Sequence, residues 1–211
     1  MRKFFLLFLL ACSAAISTAA AAPTSHRPVL VLGDSLSAAY HIDVESGWVT
    51  LLAQRLAQQN PQNPHVVNAS ISGETTSGGL ARLSGLLAEH TPSLVLIELG
   101  ANDGLRGLPL DQIRTNLGRI MTMCRDAGAK MILLGIELPV NYGPQYRSGL
   151  RGMYRDAAKE FNVPLVPFLL DGVAQEPKLM QDDGLHPLAA AEPKVLDNVW
   201  PAVQATLPAL R

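Results

Sequence analysis

Pro28-Val29-Leu30-Val31-Leu32-Gly33-Asp34-Ser35-Leu36-Ser37 is the stretch on which the fold turns. An apolar, partly β-branched run passes straight into Gly33-Asp34-Ser35, the pattern of a buried parallel strand closed by turn formers. Ser35 therefore stands just past the carboxyl end of a strand. In open α/β sheets that edge is where ligands bind, and a helix starting there turns free backbone N–H groups toward the crevice. A serine so placed can be a nucleophile with its own anion hole. Asp34 and Ser35 can equally cap a following helix. This segment alone leaves both readings open.

Outward from it the chain alternates. Apolar runs at about 65–70, 93–99, 130–136 and 163–168 predict four more strands. Segments with apolar residues at helical spacing predict helices over about 46–58, 77–89, 110–127, 145–161 and 191–207, with a short helical piece near 171–175. Pro164 and Pro167 each remove a ladder donor and send the fifth strand to a sheet edge, and Pro201 should kink the last helix. Strands alternating with helices specify a three-layer α/β/α sandwich on a parallel, doubly wound sheet. With the flavodoxin-like strand order 2-1-3-4-5, the second and third strands flank the first. Gly73 and Asn102, which follow those two strands, then flank Ser35 on the same sheet edge.

The 211 residues suit one domain, and 48% hydrophobic against 17% charged residues is an ordinary globular balance. A formal net charge of −1 and the lack of any basic run argue against a nucleic-acid partner. Met1-Arg2-Lys3 followed by an apolar run and by Ala19 to Ala22 reads as a secretory signal peptide, cleaved after Ala21. That leaves a single domain over 22–211, a periplasmic or secreted destination and no lasting membrane span. A lipoprotein signal with Cys12 acylated is the lesser alternative. Once the leader is removed, Cys124 has no partner for a disulfide. It falls on the apolar face of a helix with Ile113, Leu117, Ile120 and Met121, as a small buried hydrophobe.

Acyl transfer needs a nucleophile, a base, a group orienting the base and donors for the oxyanion. Ser35 is the candidate nucleophile, His186 the base, and Asp183, three residues earlier on one loop, the orienting carboxylate. The backbone N–H groups of Ser35 and Gly73, with the Asn102 side-chain amide, are candidate oxyanion donors, and Gly73 lets substrate approach the backbone closely. Each also has a plainer role: Gly73 in a turn, Asn102 in a loop or cap, Asp183 as a brace, with Asp182 competing for its place. His26, His41, His65 and His90 read as surface residues without metal-ligand spacing, so neither metal nor cofactor is expected. Neither G-x-G-x-x-G nor a phosphate-binding loop occurs, which argues against a nucleotide.

Four blocks in order, Gly33-Asp34-Ser35-Leu36, Gly73, Gly100-x-Asn102-Asp103 and Asp183-x-x-His186-Pro187, resemble the SGNH branch of the GDSL-type lipases and esterases over nearly the whole mature chain. Residues 68–75, 98–107, 138–143 and 180–184 are more narrowly similar to the periplasmic thioesterase I/lysophospholipase/arylesterase group. The resemblance implies Ser35, Asp183 and His186 as a triad, with Ser35, Gly73 and Asn102 as the oxyanion hole. It also implies a mobile loop over an acyl-binding crevice, mapping to 104–109. Ala101 stands where relatives often have a second glycine, and 59–64 looks longer than the corresponding turn.

The expected activity is hydrolysis of carboxylic esters and thioesters, with acyl-thioester, lysophospholipid or aryl ester substrates, by a monomer. A carbohydrate O-acetylesterase on the same fold is the enzymatic alternative. A non-catalytic periplasmic lipid carrier is the alternative from another class. No G-x-S-x-G elbow is present, since Ser37 occupies the last glycine's place, which argues against a typical α/β-hydrolase.

Overall fold

The computed structural model describes residues 27–60, 62 and 64–207; the proposed leader, Cys12 and His26 lie outside them. Among the described residues, β1 (Val29–Gly33), β2 (Val66–Asn68), β3 (Leu94–Glu98), β4 (Lys130–Leu134) and β5 (Leu165–Val166) form one parallel sheet in the order β2-β1-β3-β4-β5. The helices are α1 (Trp48–Gln59), α2 (Thr76–His90), α3 (Ala101–Leu105), α4 (Leu110–Asp126), α5 (Pro144–Phe161) and α6 (Glu192–Thr206). None is long and apolar enough to cross a membrane.

Side chains of a strand alternate between its faces, and here both faces are apolar. Leu30 and Leu32 of β1, Val95 and Ile97 of β3, and Met131 and Leu133 of β4 join one core with residues of α2, α4 and α5. Val29, Val31, Leu94, Leu96, Ile132 and Leu134 join the other, with Trp48, Leu52 and Leu56 of α1 and Val195, Leu196 and Val199 of α6. The central strands are therefore buried on both sides, and each such aliphatic side chain contributes roughly 1.5–3 kcal/mol on removal from water. Cys124 is fully buried in the first core, where burial pushes its thiol up to about 12.

Several elements are shorter than the sequence suggests. β2 ends at Asn68, whose side chain turns back to accept the Ser70 N–H at 3.1 Å and to donate to the Ser37 carbonyl at 2.8 Å. β5 keeps only Leu165 and Val166, because Pro164 and Pro167 on either side have no N–H to offer. Residues 171–175 form turns rather than a helix, with Val173 and Ala174 both donating to the Leu170 carbonyl. Pro201 lies inside α6. The segment after Ser35 is also not a helix: turns run through 35–41, with Ser37 and Ala38 both donating to the Asp34 carbonyl, and α1 starts only at Trp48.

Candidate active site

Asp34 follows the last residue of β1, and Gly33 pairs in register with Glu98 at the end of β3. The turn there is tight: a Cβ on Gly33 would lie 2.8 Å from the Ser37 side chain and from Ser70 Oγ, so only glycine fits. Asp34 Oδ1 accepts the Leu36 N–H at 3.0 Å, which fixes the turn that presents Ser35. Asp34 is thus not the cap of a helix.

Gly73 sits on the loop after β2, exposed, with φ of +81°, and nothing occupies the space where a Cβ would be. Asn102 sits in the first turn of α3, a short helix that the sequence reading did not anticipate. Since β2 and β3 flank β1, the loops that carry these two residues leave the sheet on either side of the strand that precedes Ser35. Neither the Ser35 N–H nor the Gly73 N–H has a protein acceptor among the described residues. Asn102 Nδ2 gives one hydrogen to Asp34 Oδ2 at 2.9 Å, leaving the second to donate elsewhere.

The loop from β5 to α6 returns to this edge. Gln181 and Leu188 donate backbone N–H groups to the His186 and Leu179 carbonyls, closing a short antiparallel bridge between Met180 and Pro187. The Gln181 side chain donates to both the Tyr40 carbonyl and the Pro187 carbonyl at 2.9 Å, tying the loop to the turn after Ser35. As a result, His186 Nε2 lies 2.8 Å from Ser35 Oγ, and Nδ1 lies 2.7 Å from Asp183 Oδ2. Asp183, not Asp182, makes that contact. Its Oδ1 accepts the N–H groups of Leu185 and His186 at 2.9 and 3.1 Å. Burial on its own would raise the Asp183 carboxyl, but the Leu185 N–H, the His186 ring and the His186 N–H outweigh it and lower the group to about 2.

Two residues that the sequence reading passed over, Tyr40 and Glu98, also shape the site. The Tyr40 ring lies against the His186 imidazole, centroids 4.4 Å apart, and stacks on His41 at 3.8 Å. Ala39 and His41, on either side of Tyr40, both have φ of +56°, a left-handed conformation uncommon for such residues. Fully buried Glu98 accepts the Asp34 N–H at 3.1 Å and the Ser37 hydroxyl at 2.9 Å on Oε2. Asp34, also buried, is more than a turn former: burial pushes its carboxyl up to about 6, against the opposing pull of the Leu36 N–H, Glu98, Asn102 and His186. An acid inside the apolar run Leu94-Val95-Leu96-Ile97-Glu98-Leu99 was the signal available for Glu98.

The segment 104–109 is anchored at several points. The Tyr142 hydroxyl donates to the Leu105 carbonyl at 2.8 Å, and Arg106 Nη2 donates to the Gly73 carbonyl at 3.2 Å. His41 and His65 are exposed and His90 is half-buried.

Residues 31–192 match the GDSL-like Lipase/Acylhydrolase family. The chain is 50% identical to Esterase TesA of Pseudomonas aeruginosa over 181 residues, 86% of this chain and 90% of that one. It is 45% identical to Thioesterase 1/protease 1/lysophospholipase L1 of Escherichia coli K12 over 186 residues, 88% of this chain and 85% of that one. Among solved structures, the psychrotrophic esterase EstA from Pseudoalteromonas sp., inhibited by monoethylphosphonate, superposes with a TM-score of 0.81 at 40% identity, covering 86% of this chain and 99% of its own.

Proposed function

Because this chain belongs to the GDSL-like lipase/acylhydrolase family and is an ester hydrolase of that type, we propose that it works through an acyl-enzyme on Ser35. The observation that carries this reading is the continuous chain from Ser35 Oγ through the His186 ring to Asp183, at 2.8 and 2.7 Å. His186 Nε2 takes the Ser35 proton as Oγ attacks the substrate carbonyl carbon. Asp183 holds the proton on Nδ1 and stabilises the imidazolium that forms. Negative charge on the former carbonyl oxygen meets the Ser35 and Gly73 N–H groups and the free hydrogen of the Asn102 amide. Collapse breaks the ester or thioester bond, and His186 protonates the departing alcohol or thiol. Water then gives its proton to the same imidazole and attacks the acyl-enzyme, and the acid leaves with Ser35 restored.

The substrates of this reading are esters and thioesters of moderately apolar acids, lysophospholipids and aryl esters among them. The names of the P. aeruginosa and E. coli relatives, an esterase and a thioesterase/lysophospholipase, support it. The mature enzyme is a periplasmic monomer starting after Ala21.

The test is a substrate panel graded by acyl length and leaving group, run beside Ser35→Ala: p-nitrophenyl esters from acetate to dodecanoate, an acyl thioester, a lysophospholipid and an acetylated sugar. Medium-chain esters and thioesters should be turned over by wild type and not by the variant. Preference for the acetylated sugar, or equal activity in Ser35→Ala, would contradict it.

A further inference from the structure

Behind the nucleophile lies a pair of buried acids that the acyl-transfer scheme leaves unused. Glu98 is fully buried, and its Oε2 is occupied by two donors, the Asp34 N–H and the Ser37 hydroxyl. Its Oε1 is equally buried and has no donor among the described residues. Asp34 beside it is the reverse case: each of its oxygens accepts a hydrogen bond, Oδ1 from the Leu36 N–H at 3.0 Å and Oδ2 from Asn102 Nδ2 at 2.9 Å. The Asp34 N–H on Glu98 Oε2 at 3.1 Å sets the two buried acids side by side.

Two neighbouring acids buried away from water disfavour double ionisation, so the pair holds a proton. Its position follows from the donors. Asp34 is arranged as an acceptor, whereas Glu98 Oε1 is the one carboxyl oxygen of the four that receives nothing, and an O–H there would have Asp34 as its acceptor. Tyr154, buried close by, does not serve Oε1, because its hydroxyl donates to the Leu99 carbonyl at 2.8 Å. The electrostatics agree in direction: burial and then the Asp34 charge raise Glu98 well above the usual carboxylate range, while Asp34 rises only to about 6.

We propose that Glu98 is a positioning residue acting as a neutral carboxylic acid: its Oε1–H donates to Asp34, keeping Asp34 an ionised acceptor that orients the Asn102 amide toward the oxyanion. The chain of influence runs Glu98 to Asp34 to Asn102, and Glu98 itself touches no substrate. This role rests on the acyl-enzyme reading of Ser35.

Glu98→Gln tests it, because the amide keeps an oxygen acceptor for the Asp34 N–H and Ser37 and an N–H donor for Asp34, yet cannot ionise. Turnover of p-nitrophenyl butyrate by Glu98→Gln should stay within about threefold of wild type, while Glu98→Leu should lose roughly tenfold or more in kcat with KM within about threefold. Glu98→Leu combined with Asn102→Ala should be no slower than Asn102→Ala alone, as for two residues acting through one interaction. A direct readout is infrared difference spectroscopy at neutral pH, wild type minus Glu98→Gln. It should show the carbonyl stretch of an un-ionised acid.

Absence of that band, a Gln variant as slow as the Leu variant, or multiplying losses in the double variant would each overturn the proposal. Should Glu98→Leu not fold, the infrared band and the Gln variant decide by themselves. The acyl-enzyme reading fails separately: full turnover in Ser35→Ala refutes it, and the catalytic role of Glu98 with it, without touching the infrared band.

Discussion

His186 Nε2 lies 2.8 Å from Ser35 Oγ although 151 positions separate the two residues in the chain. Ser35 is delivered by a rigid strand end, but His186 is held by a loop, through the two bonds from Gln181 and the ring of Tyr40. The chemistry therefore depends on a few local contacts at one end and on the packed sheet at the other.

Asp183→Asn should separate catalysis from folding. Asparagine keeps the Oδ1 that accepts the Leu185 and His186 N–H groups. It loses the negative charge and the tautomer control at His186 Nδ1. The expected result is a fall in kcat of up to about 10⁴-fold, with the fold retained and the thermal midpoint at neutral pH lowered modestly, since the charge of a partly exposed carboxylate is lost. In wild type the Asp183 carboxyl is lowered from 3.8 to about 2, so the stability it contributes is present above pH 3.8 and lost as pH falls through about 2.

Asn102→Ala removes one candidate oxyanion donor together with the partner of Asp34 Oδ2. Turnover should fall by about 10² to 10³ through kcat, KM changing little, because the donor matters most where charge develops. Steady-state kinetics on one medium-chain p-nitrophenyl ester check this. An equal loss expressed wholly in KM would assign Asn102 to ground-state binding instead.

Tyr40 presses its ring against the imidazole from one side. Tyr40→Phe keeps that face and should leave kcat within about twofold, whereas Tyr40→Ala should lower it by roughly three- to tenfold, the range set by one aromatic contact. Comparing the two variants by kcat isolates the ring from the hydroxyl.

Glu192 controls a pH effect remote from the site. The α1 N-cap, Gly47, has no side chain to offer, and the Trp48 N–H is instead accepted by Glu192 Oε2 at 2.8 Å from the start of α6. Burial pushes that carboxyl up from 4.5 to about 7, against the pull of the Trp48 N–H. With the folded value above the unfolded one, the stability it contributes is complete below pH 4.5 and disappears as pH rises through about 7. Glu192→Gln keeps an acceptor oxygen and abolishes the titration. Its thermal midpoint should change less than that of wild type between about pH 5 and 8, and should be the higher of the two at the alkaline end.

The central sheet was legible because its strands are apolar on both faces and bounded by turn formers, so β1, β3 and β4 announce themselves from composition alone. β5 was legible as an edge but not in length, since Pro164 and Pro167 truncate pairing from both sides. Residues 101–105 follow Gly100, whose φ of +120° sets the turn into α3, and five residues are too few to show a helical period. Ser35, Gly73 and Asn102 could be assigned to one sheet edge by topology. His186 could not, because its return depends on side-chain ties such as Gln181 to Tyr40, which have no local sequence signal. Glu98 was overlooked for the opposite reason: it sits in a strong strand pattern that hides a single acid.

The most direct measurement is the mass of the enzyme quenched within the first turnover of a p-nitrophenyl ester, followed by peptide mapping. An added acyl group is expected on the peptide carrying Ser35, and none in Ser35→Ala. Rapid turnover with no acyl group on that peptide, or an adduct on another residue that survives in Ser35→Ala, would contradict it.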